Sequence, residues 1–202
     1  MKPMFVAFTA LAVIAAPASA APVIGQAAPN FRATDVNGKA VSLSSYRGKT
    51  VVLEWHNPGC PFVKKHYGSG NMQKAQAAAA KDGVVWLTIN SGAPGKQGHL
   101  SGAEARSMLA QAGARPSAYL LDPAGAVGRA YDAKTTPHMY VVNKAGTLVY
   151  AGGIDDKPTA NPADVNGARN HVLAALSELK AGKAVSVTTS RPYGCAVKYK
   201  DS

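Results

Sequence analysis

Two cysteines are the residues of this chain best suited to chemistry. Cys60 and Cys195 are the only cysteines in the 202-residue sequence. A thiolate attacks disulfides and peroxides, and two cysteines that meet in a fold can cycle between dithiol and disulfide. A pair so far apart in sequence can also form a static bond that ties down the tail. The sequence alone leaves both interpretations open.

Cys60 stands between a strand-like segment and a helix-like one. Residues 50–56 (TVVLEWH) are rich in β-branched and apolar types, as in a buried strand. Asn57-Pro58-Gly59 ends that segment, and Pro61 suits the first turn of a helix. Free N–H groups at a helix N-terminus stabilise a thiolate. We therefore expect a solvent-facing Cys60 with a lowered pKa, assisted by the charge of Lys64 one turn along.

Histidines near this junction permit a different chemistry. His56 ends the strand, next to Trp55, and could hydrogen-bond to the thiol or exchange a proton with it. His138 follows Pro137. A cysteine with two histidines is a ligand set for copper or another soft metal. The alternative hypothesis is thus a metal-binding module that uses Cys60, His56 and His138.

An acidic pair, Asp155 and Asp156, follows the last predicted strand. It has the charge to orient a water molecule or to bind the basic tail at Lys198 and Lys200. Adjacent carboxylates in a turn are more often solvated than buried, because burying a charge is costly. We therefore predict a solvated turn.

The first twenty residues have the pattern of a secretory signal. Lys2 gives a positive start, residues 4–16 are almost wholly apolar, and Ala18-Ser19-Ala20 places small residues at a cleavage site. The apolar run is too short to span a bilayer comfortably. We expect cleavage after Ala20 and a periplasmic or secreted protein with no stable membrane insertion. A disulfide can persist in such a compartment.

The composition indicates one globular domain. With 47% hydrophobic and 16% charged residues, the chain is not an intrinsically disordered protein. The net charge is +11, but lysine and arginine are spread along the chain, which disfavours nucleic-acid binding. The sequence has no P-loop, dinucleotide-binding glycine pattern or zinc spacing, so we expect no cofactor.

The elements that position the cysteines alternate between strands and helices. Strand-like segments at 50–56, 84–90 and 119–122 are separated by helix-like ones, which requires parallel β–α–β crossovers. Turns at 36–38 and 144–146 predict two antiparallel hairpins, one at each end of this arrangement. Helices are predicted at 60–81, with a break at Gly68-Ser69-Gly70, and at 103–112 and 168–180.

The motifs around Cys60 resemble those of a known fold. Gly59-Cys60-Pro61-Phe62-Val63-Lys64 after a strand, with Thr136-Pro137 before a later strand, resembles the thioredoxin fold. More closely, the chain is similar to the peroxiredoxin-like branch of the redoxins, which includes the alkyl hydroperoxide reductase and thiol-specific antioxidant proteins. Gly152-Gly153-Ile154-Asp155-Asp156 and Gly194-Cys195-Ala196-Val197-Lys198 fit that branch, and the likeness covers roughly residues 22–200.

This resemblance implies an α/β fold with a mixed central sheet flanked by helices and an N-terminal β-hairpin extension. The domain would cover residues 21–182, and a tail at 183–202 would carry Cys195. Cys60 would be the nucleophile and Cys195 its resolving or disulfide partner. Pro137 would be cis and face Cys60, and the Thr136 backbone would pair with a strand-like disulfide substrate. The predicted site is completed by the substrate-binding residues Asn57, Gly59 and Pro61 and the supporting residues His56, Lys64 and Trp55.

The chain departs from both related patterns. Asn57 stands where a dithiol oxidoreductase has the first cysteine of Cys-x-x-Cys, and where a peroxiredoxin has Thr or Ser. Leu53 replaces the peroxiredoxin proline, and the matching arginine is not identifiable. Disulfide exchange and peroxide reduction therefore remain alternatives, with protein or small-molecule disulfides or hydroperoxides as substrates and a periplasmic thiol as reductant. A third alternative is a structural domain whose disulfide never cycles.

Overall fold

The protein is described by a computed structural model that covers residues 21–202, so the predicted signal segment lies outside the described residues. Its strands are β1 (Arg32–Asp35), β2 (Ala40–Ser42), β3 (Val51–Trp55), β4 (Val85–Asn90), β5 (Ala118–Leu121), β6 (Thr135–Thr136), β7 (His138–Val142), β8 (Leu148–Gly152) and β9 (Cys195–Ala196). Seven of these form one sheet in the order β2-β1-β5-β4-β3-β7-β8, while β6 and β9 pair separately.

The centre of the large sheet follows from its sequence. β3 and β4 are buried along their whole length, as expected for apolar strands covered on both faces. β3 is parallel to β4 and antiparallel to β7, and Trp55 lies opposite His138. The residues after β3 and those before β7 therefore meet at the same edge of the sheet. This register brings Cys60 to Thr136 and Pro137.

Helices cover both faces of the sheet. They are α1 (Pro61–Gly68), α2 (Asn71–Lys81), α3 (Gly102–Ala112), α4 (Ala126–Ala130) and α5 (His171–Lys180). The predicted break at residues 68–70 is present. Gly70, which has a φ of 73°, lies between the end of α1 and the start of α2. α3 begins with a capping box between Ser101 and Glu104.

Side chains that alternate along β3 pack into two separate hydrophobic clusters, one on each face of the sheet. Leu53 and Trp55 pack with Tyr131 and Tyr140 on one face, while Val52 packs on the other face with residues of α2 and α5. This alternation is the period-2 pattern of a strand buried on both sides. The predicted mixed α/β fold is confirmed, including the N-terminal hairpin of β1 and β2. Within residues 21–202 no helix is long and apolar enough to cross a membrane.

The tail crosses the molecule and packs into the core just beyond β9. Thr189 bridges to Ala151 of β8, and β9 pairs antiparallel with β6. Beyond β9, Val197 is buried in the main apolar cluster, and the Tyr199 hydroxyl donates to the Ala133 carbonyl at 2.8 Å. The tail is thus part of the packed structure around the cysteines.

Candidate active site

Cys60 is the N-cap residue of α1, where the chain turns from the sheet into the helix. Its thiol donates to the Thr136 carbonyl at 3.0 Å. The expected solvent-facing sulfur is a wrong prediction, since the residue has 0% exposed area. Its immediate partners are nevertheless polar groups, which is unlike an inert cysteine among aliphatic side chains.

The pKa of Cys60 is set by opposing effects. Burial raises it, and hydrogen bonds from the Cys195 thiol, from backbone groups of Val63 and Cys195, and from the Thr136 side chain lower it. The lowering prevails, because donors stabilise the thiolate more than burial disfavours it. The Val63 contribution is the predicted effect of the helix N-terminus. Lys64 is exposed and is not among the groups that lower this pKa.

Cys195 lies in β9 directly beside Cys60. Both cysteines are free thiols, and Cys195 is partly exposed. Burial and the neighbouring Cys60 sulfur raise the pKa of Cys195 to about 11. The two thiols therefore differ in character: Cys60 ionises more readily than an ordinary cysteine, and Cys195 less readily. Such a difference suits one thiol for attack and the other for holding a proton until it is needed.

Thr136 and Pro137 frame the thiol pair. The Thr136–Pro137 peptide bond is cis, as the resemblance implies. Thr136 lies opposite Cys195 in the β6–β9 register, and its hydroxyl donates to the Cys195 carbonyl at 3.4 Å. The Thr136 backbone, predicted to pair with a substrate, is thus paired with the chain's own tail.

The turn before Cys60 is held by Asn57. Its side-chain oxygen accepts from the Gly59 N–H at 2.8 Å, and its amide donates to the Gln97 side chain at 3.0 Å. A Cβ on Gly59 would overlap the Gln97 side-chain amide, so a larger residue there would have to push the exposed Gln97 side chain aside. Pro61 is exposed at the first helical position. Asn57 and Gly59 shape the turn that presents Cys60.

The supporting residues His56 and Trp55 are directed into the protein. His56 shares a hydrogen bond of 2.9 Å with the Tyr119 hydroxyl and packs edge-on against Tyr67. Burial lowers the pKa of His56 to about 3, so the ring is neutral at pH 7. Its ring nitrogen Nδ1 is taken up by the hydrogen bond with Tyr119. The Trp55 indole N–H donates to the Ser91 hydroxyl at 3.1 Å.

The alternative metal site is a wrong prediction for the described chain. Within residues 21–202, no three His, Cys, Asp or Glu side chains are grouped so as to hold a metal ion. His138 instead lies 3.1 Å from the Tyr140 hydroxyl through Nδ1, and burial lowers its pKa to about 4. Each ring is engaged by a buried tyrosine, so Cys60, His56 and His138 do not converge.

Sequence reasoning missed a buried polar cluster under the tail. Asp155 is 4% exposed, which corrects the predicted solvated turn, while Asp156 is exposed. The Tyr193 hydroxyl donates to Asp155 at 2.5 Å, and the His66 ring lies 3.1 Å from that hydroxyl. The Lys65 ammonium is 3.9 Å from the Asp155 carboxylate. His66, three residues after the apolar Val63 and therefore on the same face of the predicted helix, is the one sequence signal for this cluster.

A cavity of about 600 Å³ lies next to residues that flank the thiol pair, although neither cysteine lines it. It is bordered by Phe62 of α1, Thr135 of β6 and Gly194, each within two residues of Cys60, Thr136 or Cys195. Asp155, Tyr193 and Arg191 line it as well. Both charged and apolar groups therefore face a space of the size that small-molecule sites have.

The strand–cysteine–helix unit, the cis proline and the mixed sheet together define a thioredoxin-like protein. The AhpC/TSA family model matches residues 24–151, and the chain belongs to this family. A comparison with curated proteins finds no match.

Solved structures share the fold over most of the chain. An uncharacterized conserved protein from Geobacillus kaustophilus has a TM-score of 0.77 and 29% identity, covering 89% of this chain and 94% of that one. A hypothetical protein from Sinorhizobium meliloti has a TM-score of 0.74 and 23% identity, covering 91% and 98%. A secreted disulfide oxidoreductase from Mycobacterium tuberculosis has a TM-score of 0.51 and 22% identity, covering 68% and 92%. The likeness to the last two concerns the fold alone.

Proposed function

We propose that this protein is an exported thiol–disulfide oxidoreductase with Cys60 as nucleophile and Cys195 as its resolving partner. The observation that supports this most is the direct contact of the two thiols, with the pKa of Cys60 lowered and that of Cys195 raised. A static tether needs proximity alone, whereas a redox pair also needs one thiol that ionises readily.

The reaction follows from these roles. The Cys60 thiolate attacks one sulfur of a disulfide, so that a mixed disulfide forms and the other half leaves as a thiolate. Cys195 then loses its proton and attacks the Cys60 sulfur, which releases the second half. The protein pair gives up two electrons and two protons, and the substrate becomes two thiols. A periplasmic dithiol, or two periplasmic thiols in turn, would restore the starting state: the first thiol attacks the Cys60–Cys195 disulfide, and the second attacks the resulting mixed disulfide and leaves with the first as a new disulfide.

Disulfide exchange fits the surroundings of Cys60 better than peroxide reduction. Peroxide cleavage requires donors aimed at the departing oxygen. Within the described chain, the groups that act on Cys60 come from Val63, Thr136 and Cys195, with no guanidinium among them. The Asn57 side chain, in the position of the peroxiredoxin hydroxyl, is committed to Gly59 and Gln97. Peroxide reduction is therefore the second candidate.

The proposal is tested with single-cysteine variants and a chromogenic disulfide. In Cys195→Ser, Cys60 attacks but the mixed disulfide has no internal thiol to resolve it, so we expect it to accumulate and to be detected by intact mass. In Cys60→Ser, only the poorly ionised Cys195 remains, and we expect the rate at pH 7 to fall by at least about tenfold. If Cys60→Ser reacts as fast as the native protein, Cys60 is not the nucleophile.

Export is the second part of the proposal. It is supported by the sequence pattern of residues 1–20 and by the likeness to a neighbour described as secreted. We expect the protein isolated from the periplasm of a bacterium that expresses the full-length chain to begin at Ala21, as read by N-terminal sequencing. A protein that keeps Met1 or Lys2 and stays in the cytoplasmic fraction would contradict this part alone.

A further inference from the structure

The tail occupies the strand edge next to Cys60. In the β6–β9 pair, Thr136 lies opposite Cys195 and Thr135 opposite Ala196. An extended polypeptide that docks on a sheet edge needs free backbone groups to pair with. The edge at Thr136 is filled by the chain itself, and Cys60 has no exposed area while it is filled. A polypeptide substrate would have to displace β9 before it could pair there.

Gly194 makes this close approach possible. It has a φ of 134°, in the region that residues with a side chain rarely adopt. A Cβ at this position would overlap the Thr136 carbonyl oxygen and would lie 2.8 Å from the Thr136 carbonyl carbon. Because both obstacles belong to the backbone, no side-chain rearrangement relieves them. Any larger residue at 194 must lift the tail from β6.

Tyr193 fastens the tail to the helix that begins after Cys60. The Asn71 amide donates to Nδ1 of His66 at 2.8 Å, so the His66 proton lies on Nε2 and points at the Tyr193 oxygen. The Tyr193 hydroxyl in turn donates to Asp155. Its ring packs edge-on against Phe62, with 5.9 Å between centroids. The residue before Gly194 is therefore held by packing and by a chain of hydrogen bonds.

A small molecule needs a smaller opening than a polypeptide to reach the thiols. The cavity of about 600 Å³ lies beside Phe62, Thr135 and Gly194 while β9 stays in place. This volume is within the range of small-ligand sites. An extended chain has to displace β9 along β6, whereas a compact disulfide needs only a local opening beside the partly exposed Cys195 to reach the buried Cys60.

We infer that the substrates are low-molecular-weight disulfides, and that Gly194 and Tyr193 determine this specificity by keeping β9 on the edge of β6. This inference rests on the proposed thiol–disulfide exchange and adds a substrate class to it. The exchange itself proceeds as described above, with the small disulfide reduced to two thiols and the Cys60–Cys195 pair oxidised.

The test compares two probes that carry the same reactive bond. One is free cysteine joined to thionitrobenzoate by a disulfide, and the other is the same disulfide on the central cysteine of an extended peptide of about ten residues. Both release thionitrobenzoate when the reduced, full-length protein attacks them. We expect the native protein to react at least about tenfold faster with the cysteine probe than with the peptide. In Gly194→Ala, the peptide rate should rise until the two rates differ by less than about threefold.

Two further variants make the test specific. Gly182→Ala strains the glycine just before the tail, which has a φ of 70°, but its Cβ meets nothing within 4 Å, so it should keep the native ratio of rates. Tyr193→Phe keeps the ring and loses the hydroxyl bond to Asp155, and it should shift the ratio in the same direction as Gly194→Ala. Equal rates for both probes in the native protein, or a native ratio in both Gly194→Ala and Tyr193→Phe, would overturn the inference. Failure of both probes with the native protein would instead contradict the proposed function.

Discussion

The two thiols of this protein show how position alters one functional group. Cys60 receives hydrogen bonds from a helix N-terminus and from Cys195, which lower its pKa despite complete burial. Cys195 has no such donors, and burial raises its pKa. Sequence reasoning could predict the first effect, because Pro61 marks the start of a helix. It could not predict the burial of Cys60, and the pairing with Cys195 was predicted only through the family resemblance, because both depend on where the tail folds.

Buried histidines give the protein a pH dependence that belongs to single residues. Burial lowers the pKa of His56 to about 3 and that of His138 to about 4, against an ordinary value of about 6.5. Below this ordinary value the unfolded chain takes up protons that the folded protein excludes. The free energy of unfolding therefore falls as the pH falls from about 6.5 towards 4.

We expect urea unfolding to show lower stability at pH 5 than at pH 7, and His56→Gln to weaken that dependence. Glutamine can keep a hydrogen bond to the Tyr119 hydroxyl, but it has no proton to gain in this range. A variant whose stability changes with pH as steeply as that of the native protein would contradict the assignment of this effect to His56.

Among the elements, α1 has the boundaries that the sequence predicts most directly. Pro61 begins α1, and the glycines near residue 70 separate it from α2. The two-residue strands β6 and β9 were beyond prediction, because a segment of that length carries no periodicity. The buried Asp155 was beyond prediction too, since its burial depends on Tyr193 and Lys65 from distant parts of the chain.

Two glycines at the α1–α2 boundary allow a matched test of its backbone geometry. Gly70 has a φ of 73°, and Gly68 is the last residue of α1; a Cβ on either would meet nothing within 4 Å. We expect Gly70→Ala to lower the free energy of unfolding by about 1 kcal/mol through backbone strain. Gly68→Ala should be neutral or slightly stabilising, because alanine favours helix. Equal losses in both variants would show that the positive φ is not the cause.

For the molecule as a whole, the tail is part of the core as well as of the candidate site. Val197, two residues after Cys195, is 4% exposed within the main apolar cluster. The composition predicts that the chain has a hydrophobic core. No periodic pattern in the tail sequence, however, indicates that Val197 joins it. Packing of the tail on both sides of Cys195 fixes where that thiol lies.

The contribution of the tail to global stability can be measured at Val197. We expect Val197→Ala to lower the free energy of unfolding by about 2 kcal/mol, since it removes two buried methyl groups and leaves a cavity. The matched control is Val23→Ala, because Val23 is 60% exposed and should change stability by less than about 0.5 kcal/mol. A similar small effect at Val197 would mean that the tail is only loosely attached in solution.

The central claim is that Cys60 and Cys195 form a working redox couple, and a redox titration of the full-length protein tests it most directly. Intact mass and thiol labelling would follow both cysteines across a series of dithiol and disulfide buffers. We expect both thiols to be lost together in one two-electron transition, at a potential above about −300 mV, where cellular thiols can reverse it. A transition well below about −300 mV, or no disulfide between the two residues, would contradict the account.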